Sequence, residues 1–204
     1  MWNIREVIPN KSIVPVLVID DEAHAEPLAE VLMNSGINAI EVTLRTGAAL
    51  PAIANIKRHL PQLKVGAGTA NTPELFSKAV DAGADFIMTP GFTEALIVQS
   101  QKHQVPFIPG VSTLSEMMLL HDQGFSLLKL FPAEIVGGVS LLKAIEAVLP
   151  DLSFCPTGGI SEKTCSEYLA LNNVSALGGS WVATREDIQS ERWDAIKNKA
   201  RRLV

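Results

Sequence analysis

Short apolar segments alternate along the chain with longer stretches in which apolar residues recur at helical spacing. Residues 13–19 form a β-branched run, which is typical of a strand that is buried on both faces. In the segment that follows, four apolar residues recur at helical spacing (Ala25, Leu28, Ala29 and Leu32), and Gly36 is expected to end that helix. The pattern predicts a strand followed directly by an amphipathic helix that packs against it.

The same strand-then-helix pattern repeats through the rest of the sequence. Strand starts recur roughly every 20–26 residues, which is close to the length of a compact strand–helix unit. Further strands are predicted at residues 39–44, 64–67, 86–89, 105–108, 127–130, 153–157 and 174–177. About eight such units in a chain of 204 residues fit a (β/α)8 barrel, whose usual range starts near 200 residues. We therefore predict one α/β domain over residues 1–204.

A doubly wound open sheet is the alternative arrangement of these elements. Its nucleotide-binding forms carry a Gly-x-Gly-x-x-Gly turn after the first strand or a P-loop, and the sequence contains neither. The barrel is therefore the favoured architecture.

Composition and charge narrow the class of protein. The chain is 47% hydrophobic, which is ample for one sizeable core. Its net charge is −5, so the sequence does not show the excess of basic residues that is typical of proteins that bind nucleic acid or an anionic membrane. No apolar run approaches the ~20 residues of a membrane helix, and no signal peptide is recognised. Cys155 and Cys165 have neither metal nor disulfide spacing and are expected to be reduced packing residues. We expect a soluble, cytoplasmic protein without nucleic-acid or membrane partners.

One lysine lies inside the apolar run of residues 127–130. Lys129 is unusual there because burial penalises the charged form of an amine. A neutral amine in an apolar pocket is also the nucleophile that attacks a ketone to form a Schiff base. The alternatives are a lysine that reaches solvent at the strand end, or a structural ion pair.

A second candidate lies on the predicted strand at residues 39–44. Strand alternation places Glu41 and Thr43 on one face, together with Arg45 if the strand extends that far, at the end of the barrel where the chemistry of this fold is found. A carboxylate in an apolar strand is a candidate general acid or base, and the planar guanidinium of Arg45 fits a substrate carboxylate. A structural Glu41–Arg45 salt bridge is the alternative.

Glycine turns follow several predicted strands. Residues 157–159 and 178–180 each place two glycines beside a hydroxyl after the last two strands, where barrels commonly bind phosphate. The segment 66–69 is either a tight turn or a further anion site. The histidines are scattered along predicted helices without ligand spacing and are expected at surface or packing positions: His24, His59, His103 and His121.

These motifs, in this order, resemble the 2-keto-3-deoxy-6-phosphogluconate (KDPG) aldolase family. Its members are often also named 4-hydroxy-2-oxoglutarate (KHG) aldolases. The resemblance runs from the first predicted strand to the eighth and is carried by residues 41–46, 66–69, 90–91, 108–113, Lys129 with 131–134, 154–160 and 178–181.

The resemblance implies a class I aldolase that needs no metal or cofactor, on a (β/α)8 barrel that is usually a homotrimer. It implies that Lys129 forms the Schiff base, that Glu41 is the general acid/base, and that Arg45 and Thr69 hold the pyruvate carboxylate. The other substrate-binding residues that it implies are Pro90, Phe131, Thr157, Gly158, Gly159, Gly179 and Ser180.

The implied reactions are cleavage of KDPG to pyruvate and glyceraldehyde 3-phosphate, and of KHG to pyruvate and glyoxylate. Family members often carry Ser where this chain has Thr89, and an aromatic residue where it has Leu130. Relatives that act on the galacto epimer tend to have an aliphatic residue at the position of Thr157, so the gluconate substrate is favoured. The alternatives are the phosphogalactonate aldolase, a phosphosugar isomerase or synthase that uses Glu41 and Lys129 for proton transfer, and a non-catalytic phosphometabolite-binding barrel.

Overall fold

A computed structural model describes residues 7–103 and 105–203. Within these residues nine strand segments occur in chain order, and every pairing between them is parallel. They are β1 (Ser12–Leu17), β2 (Ala39–Thr43), β3 (Lys64–Gly68), β4 (Phe86–Met88), β5 (Phe107–Ile108), β6 (Gly110–Val111), β7 (Leu127–Leu130), β8 (Ser153–Phe154) and β9 (Ala176–Gly179).

The strands curl into a barrel. One sheet has the order β5-β4-β3-β2-β1-β9 and the other the order β6-β7-β8. β5 and β6 are two parts of one strand interrupted at Pro109, whose carbonyl accepts the Lys129 amide at 2.9 Å. The parallel bridges Phe154↔Val174 and Thr157↔Gly178 join β8 to β9. Eight strand positions therefore follow one another around the barrel, and the predicted (β/α)8 architecture is confirmed.

Helices separate the successive strands and cover the outside of the barrel. They are α1 (Ala25–Met33), α2 (Ala49–His59), α3 (Pro73–Asp81), α4 (Glu94–Lys102), α5 (Leu114–Asp122), α6 (Gly138–Val148), α7 (Cys165–Leu169), α8 (Arg185–Gln189) and α9 (Trp193–Arg201). Local sequence fixes several starts: Thr72 caps α3 with Pro73 at its first position, and Thr113 and Glu116 form a capping box on α5.

Several strands are shorter than the apolar runs predicted. β8 ends at Phe154, although residues 153–157 were expected to be a strand. Its backbone continues to bond to β7, since the Cys155 and Thr157 amides donate to the carbonyls of Leu128 and Leu130. Pro156 has no amide to donate, which interrupts the ladder. The apolar run 153–157 therefore overestimates the length of β8 because it contains a proline.

The core has two layers. The larger fills the space between strands and helices, and a second cluster fills the inside of the barrel from several strands: Val14, Ala39, Phe86, Met88, Ile108, Leu127, Cys155 and Ala176. In the part of the chain that the structure describes, no helix is long and apolar enough to span a bilayer. The single domain over residues 1–204 stays a prediction, and residues 1–6, 104 and 204 lie outside the described residues.

Candidate active site

A lysine and a glutamate meet inside the barrel. Lys129 on β7 places its Nζ 2.8 Å from Oε1 and 3.1 Å from Oε2 of Glu41 on β2. The two residues are 4% and 1% exposed. Ala39 and Leu127, each two residues earlier, belong to the interior cluster, so strand alternation puts the pair one layer nearer the carboxyl ends of the strands. The barrel thus holds a buried amine–carboxylate pair where its chemistry is expected.

This geometry excludes two of the sequence-based alternatives, while Lys129 and Glu41 form an ion pair with each other. Lys129 does not reach solvent at the strand end. Glu41 pairs with Lys129, and Arg45 is exposed and donates from Nε to Thr69 Oγ1 at 3.3 Å. The alternative of a Glu41–Arg45 salt bridge is therefore wrong. Arg45 and Thr69 meet at the mouth of the barrel, where the backbone of Thr69 takes a left-handed φ of 62°.

A glycine creates the space for the glutamate. A Cβ added to Gly68 on β3 would lie 2.0 Å from Glu41 Oε1 and 2.8 Å from Glu41 Cγ. No side chain can occupy this position while Glu41 stays where it is. Gly68 was predicted only as part of a possible anion-binding turn, and this contact depends on strand register that the sequence does not reveal.

We expect Gly68→Ala to move Glu41 away from Lys129 without unfolding the barrel, because the displaced group is a flexible side chain. A shift of about 1 Å in a catalytic group costs on the order of 10²-fold in rate. Steady-state turnover should fall by that amount. Gly47→Ala is the matched control, since its added methyl meets nothing within 4 Å. Full activity in Gly68→Ala would contradict the importance of the contact.

A buried thiol lies below the pair. Burial raises the pKa of Cys155 to about 12, an effect opposed by the nearby Lys129 ammonium and reinforced by the Glu41 carboxylate. The thiol therefore stays protonated at physiological pH, and only the thiolate is a strong nucleophile. Cys155 lies in the interior cluster, which confirms the packing role predicted for it.

Phe131 lies beside the amine, and Pro90 lies beside Gly110, the β6 residue that pairs with Lys129. Lys129 Nζ is 5.7 Å from the centroid of the Phe131 ring, within the range of a cation–π contact. Pro90 lies against β6, where a Cβ on Gly110 would be 2.3 Å from the Pro90 carbonyl carbon. The half-buried ring of Phe131 thus forms an apolar wall beside the amine.

Two glycine-rich segments come together where the barrel closes. Thr157 and Gly178 are bridge partners, and a Cβ on Gly178 would lie 2.2 Å from Thr157 Oγ1. Gly158 and Gly159 have positive φ values of 102° and 83°, which glycine adopts without strain. Gly178 and Gly179 were predicted to lie in a turn after the last strand, but they are the final residues of β9, and the exposed Ser180 follows them. The structure therefore brings the two segments that were predicted to bind phosphate together at the mouth.

The histidines lie away from this region, as the sequence predicted. His24 packs edge-on against Trp193 with ring centroids 6.0 Å apart, and His103 contacts Gln99 and Ser77 between α3 and α4. Within residues 7–103 and 105–203, no group of three or more His, Cys, Asp or Glu side chains could hold a metal ion.

A (β/α)8 barrel with a buried lysine beside a carboxylate defines a class of enzyme that acts on carbonyl compounds through an amine. The family model described as "KDPG and KHG aldolase" matches residues 4–199. The chain belongs to the KDPG and KHG aldolase family, and is therefore an aldolase, a lyase.

Named relatives cover nearly the whole chain. The 2-dehydro-3-deoxy-phosphogluconate aldolase of Pseudoalteromonas atlantica is 43% identical over 205 residues, covering 100% of this chain and 95% of the relative. The KHG/KDPG aldolase of Escherichia coli K12 is 41% identical, with 98% and 94% covered. A Legionella pneumophila KDPG aldolase, solved with pyruvate captured as a covalent carbinolamine, aligns with a TM-score of 0.92, 43% identity, and 94% and 93% covered. Fold and sequence thus agree on the family.

Proposed function

We propose that this chain cleaves KDPG to pyruvate and glyceraldehyde 3-phosphate through a Schiff base on Lys129, with Glu41 as general acid and base. The contact of 2.8 Å between the Lys129 amine and the Glu41 carboxylate, both buried, carries the proposal. Further support comes from the relative named as a 2-dehydro-3-deoxy-phosphogluconate aldolase, and from the Legionella enzyme with its covalent pyruvate.

The first half of the reaction forms the imine. Glu41 accepts a proton from the Lys129 ammonium across the contact that joins them. The free amine attacks the C2 ketone to give a carbinolamine, and protonated Glu41 returns its proton to the departing hydroxyl, so that loss of water leaves a protonated imine and the Glu41 carboxylate. Because the pair is buried, the charges are screened little by solvent, and the proton moves over a short, fixed distance.

The second half breaks the carbon–carbon bond. The Glu41 carboxylate takes the C4 hydroxyl proton, and the C3–C4 bonding electrons move into the imine to form an enamine. Glyceraldehyde 3-phosphate leaves, and the enamine takes a proton at C3 from Glu41, which acts here as the general acid. Water then hydrolyses the imine, which releases pyruvate and restores the Lys129 amine. General acid–base help of this kind is typically worth ~10²–10⁴-fold in rate.

The mouth residues are assigned to the two ends of the substrate. Arg45 and Thr69 lie close enough to share one carboxylate, because Nε and Oγ1 are 3.3 Å apart. The apolar wall of Phe131 and Pro90 would line the pyruvate moiety. The hydroxyl and phosphate end of the substrate is assigned to the two glycine-rich segments: Thr157, Gly158, Gly159, Gly179 and Ser180. The proposed chemistry uses the side chains of Lys129 and Glu41 and needs neither metal nor cofactor.

We also propose that the chain cleaves KHG, because the E. coli relative is named for both substrates. Thr157, whose hydroxyl lies against Gly178, is assigned to the hydroxyl end of the substrate, and a threonine rather than an aliphatic residue at this position favours the gluconate epimer over the galactonate epimer. A homotrimeric assembly and a cytoplasmic location stay predictions.

Pyruvate release from four substrates tests the proposal. We expect turnover to be fastest with KDPG. It should be slower with KHG, with the phosphogalactonate epimer and with the unphosphorylated sugar acid, which lacks the phosphate that residues 157–159 and 178–180 are proposed to bind. Borohydride added with pyruvate should attach one reduced pyruvate to the peptide that contains Lys129. An isomerase or synthase would give no such adduct, and a non-catalytic barrel would show ligand-induced thermal stabilisation without turnover.

A further inference from the structure

Two segments at the barrel mouth are joined along their length. The Ala133 amide donates to the Thr157 carbonyl at 2.8 Å, and the Glu134 amide donates to the Gly158 carbonyl at 3.1 Å. A Cβ on Gly159 would lie 2.7 Å from both Cβ and Cγ of Glu134. The stem of Glu134 therefore packs directly on the Gly158–Gly159 turn, and any movement of Glu134 moves the turn.

The far end of Glu134 is held by a buried tyrosine. Tyr168 on α7 is 1% exposed, and its hydroxyl donates to Glu134 Oε1 at 2.5 Å. Gly138 encloses the hydroxyl from the other side: its φ is 51°, and a Cβ there would lie 2.6 Å from the Tyr168 oxygen. Tyr168, which lies in the layer of helices, therefore holds the carboxylate of Glu134 in place.

The tyrosine is a permanent donor in this pair. Burial raises the pKa of Tyr168 well above its usual value, and the hydrogen bond to the Glu134 carboxylate raises it further. The hydroxyl therefore keeps its proton at physiological pH and stays the donor to Glu134. Hydrogen bonds to charged groups are among the stronger ones in proteins.

We infer that Glu134 and Tyr168 are positioning residues for the hydroxyl and phosphate end of the substrate, because they fix the Gly158–Gly159 turn that binds it. This inference rests on the proposed function of that turn. The pair has no part in the Schiff-base chemistry of Lys129 and Glu41. A purely structural pair would affect both halves of the substrate equally or neither of them.

Tyr168→Phe tests the inference because it removes one hydroxyl and keeps the ring. We expect kcat/KM for KDPG to fall about tenfold, mostly through a higher KM. Proton exchange at the methyl group of pyruvate, which needs only the Lys129 half of the site, should stay within about twofold of wild type. Ser35→Ala is the matched control: it also removes a buried hydroxyl, bonded to the Val31 carbonyl at 2.7 Å just after α1, and should change neither reaction.

Glu134→Ala is a second variant that leaves no cavity in the core, because Glu134 is exposed, and its thermal unfolding is measured beside activity because it removes the acceptor of the buried Tyr168 hydroxyl. It should reproduce the selective loss on KDPG, and the double variant with Tyr168→Phe should be no worse than either single variant, since both act through one link. Glu134→Gln, which keeps an acceptor oxygen, should stay close to wild type. Parallel losses in cleavage and exchange, additive effects, or unchanged KDPG kinetics would each overturn the inference.

Failure of the proposed aldolase function would give different experimental results from failure of the positioning role. If wild-type protein neither releases pyruvate from KDPG nor forms a borohydride adduct with pyruvate, the aldolase assignment itself fails. If wild type does both and the Tyr168 variant shows no selective loss, only the positioning role fails.

Discussion

Replacing Lys129 with methionine should abolish cleavage of KDPG and the borohydride adduct with pyruvate. Methionine fills the same volume without an amine, so the imine cannot form. Loss of a catalytic nucleophile costs on the order of 10⁴–10⁶-fold in kcat. Pyruvate release in a coupled assay and intact-protein mass after borohydride treatment measure both effects.

The same substitution leaves the Glu41 carboxylate buried without its partner, which typically costs about 3–5 kcal/mol of unfolding free energy. Thermal unfolding must therefore be measured beside activity, and assays run well below the midpoint. Lys143→Met is the matched control, because Lys143 is an exposed lysine on α6. An adduct that persists in Lys129→Met, or disappears in Lys143→Met, would refute Lys129 as the nucleophile.

Glu41→Gln should slow proton exchange at the pyruvate methyl group by ~10²–10⁴-fold, the usual contribution of a general base. The amide keeps the size of the carboxylate and an oxygen that can accept from Lys129 Nζ, so the pyruvate concentration that half-saturates exchange should change little. Deuterium incorporation into pyruvate, followed by NMR over a range of pyruvate concentrations, separates rate from binding.

Glu30→Gln is the control for Glu41→Gln, since Glu30 is an exposed carboxylate on α1. Exchange that proceeds at the wild-type rate in Glu41→Gln would assign the base to another group. Exchange that fails only because pyruvate no longer binds would give Glu41 a binding role instead.

The sequence predicted those features of the fold that depend on residues close together along the chain. Apolar runs and helical periodicity depend on neighbouring residues, which is why eight strand–helix units could be counted. Lys129 stood out because a single charge interrupts such a run. Its pairing with Glu41, 88 residues earlier, followed only once the barrel placed the ends of both strands at one mouth.

The features that escaped prediction depend on register between strands or on loop packing. The contact between Gly68 and Glu41 requires knowing which residues of β2 and β3 lie side by side. The hydrogen bond from Tyr168 to Glu134 joins a short helix to a rim loop, and no periodicity marks either residue. The continuation of β5 past Pro109 as β6 was likewise missed, because the predicted strand ends at residue 108.

Large and small residues alternate between adjacent strands inside this barrel. Phe86 lies where Gly66 has no side chain, Glu41 lies against Gly68, and Thr157 lies against Gly178. At each of these sites the side chain of one residue fills the space that its glycine neighbour leaves, so the two residues cannot be replaced independently. Diversification of the interior along a lineage would therefore proceed by concerted double replacements, in which one member shrinks as its neighbour grows, while the backbone stays unchanged.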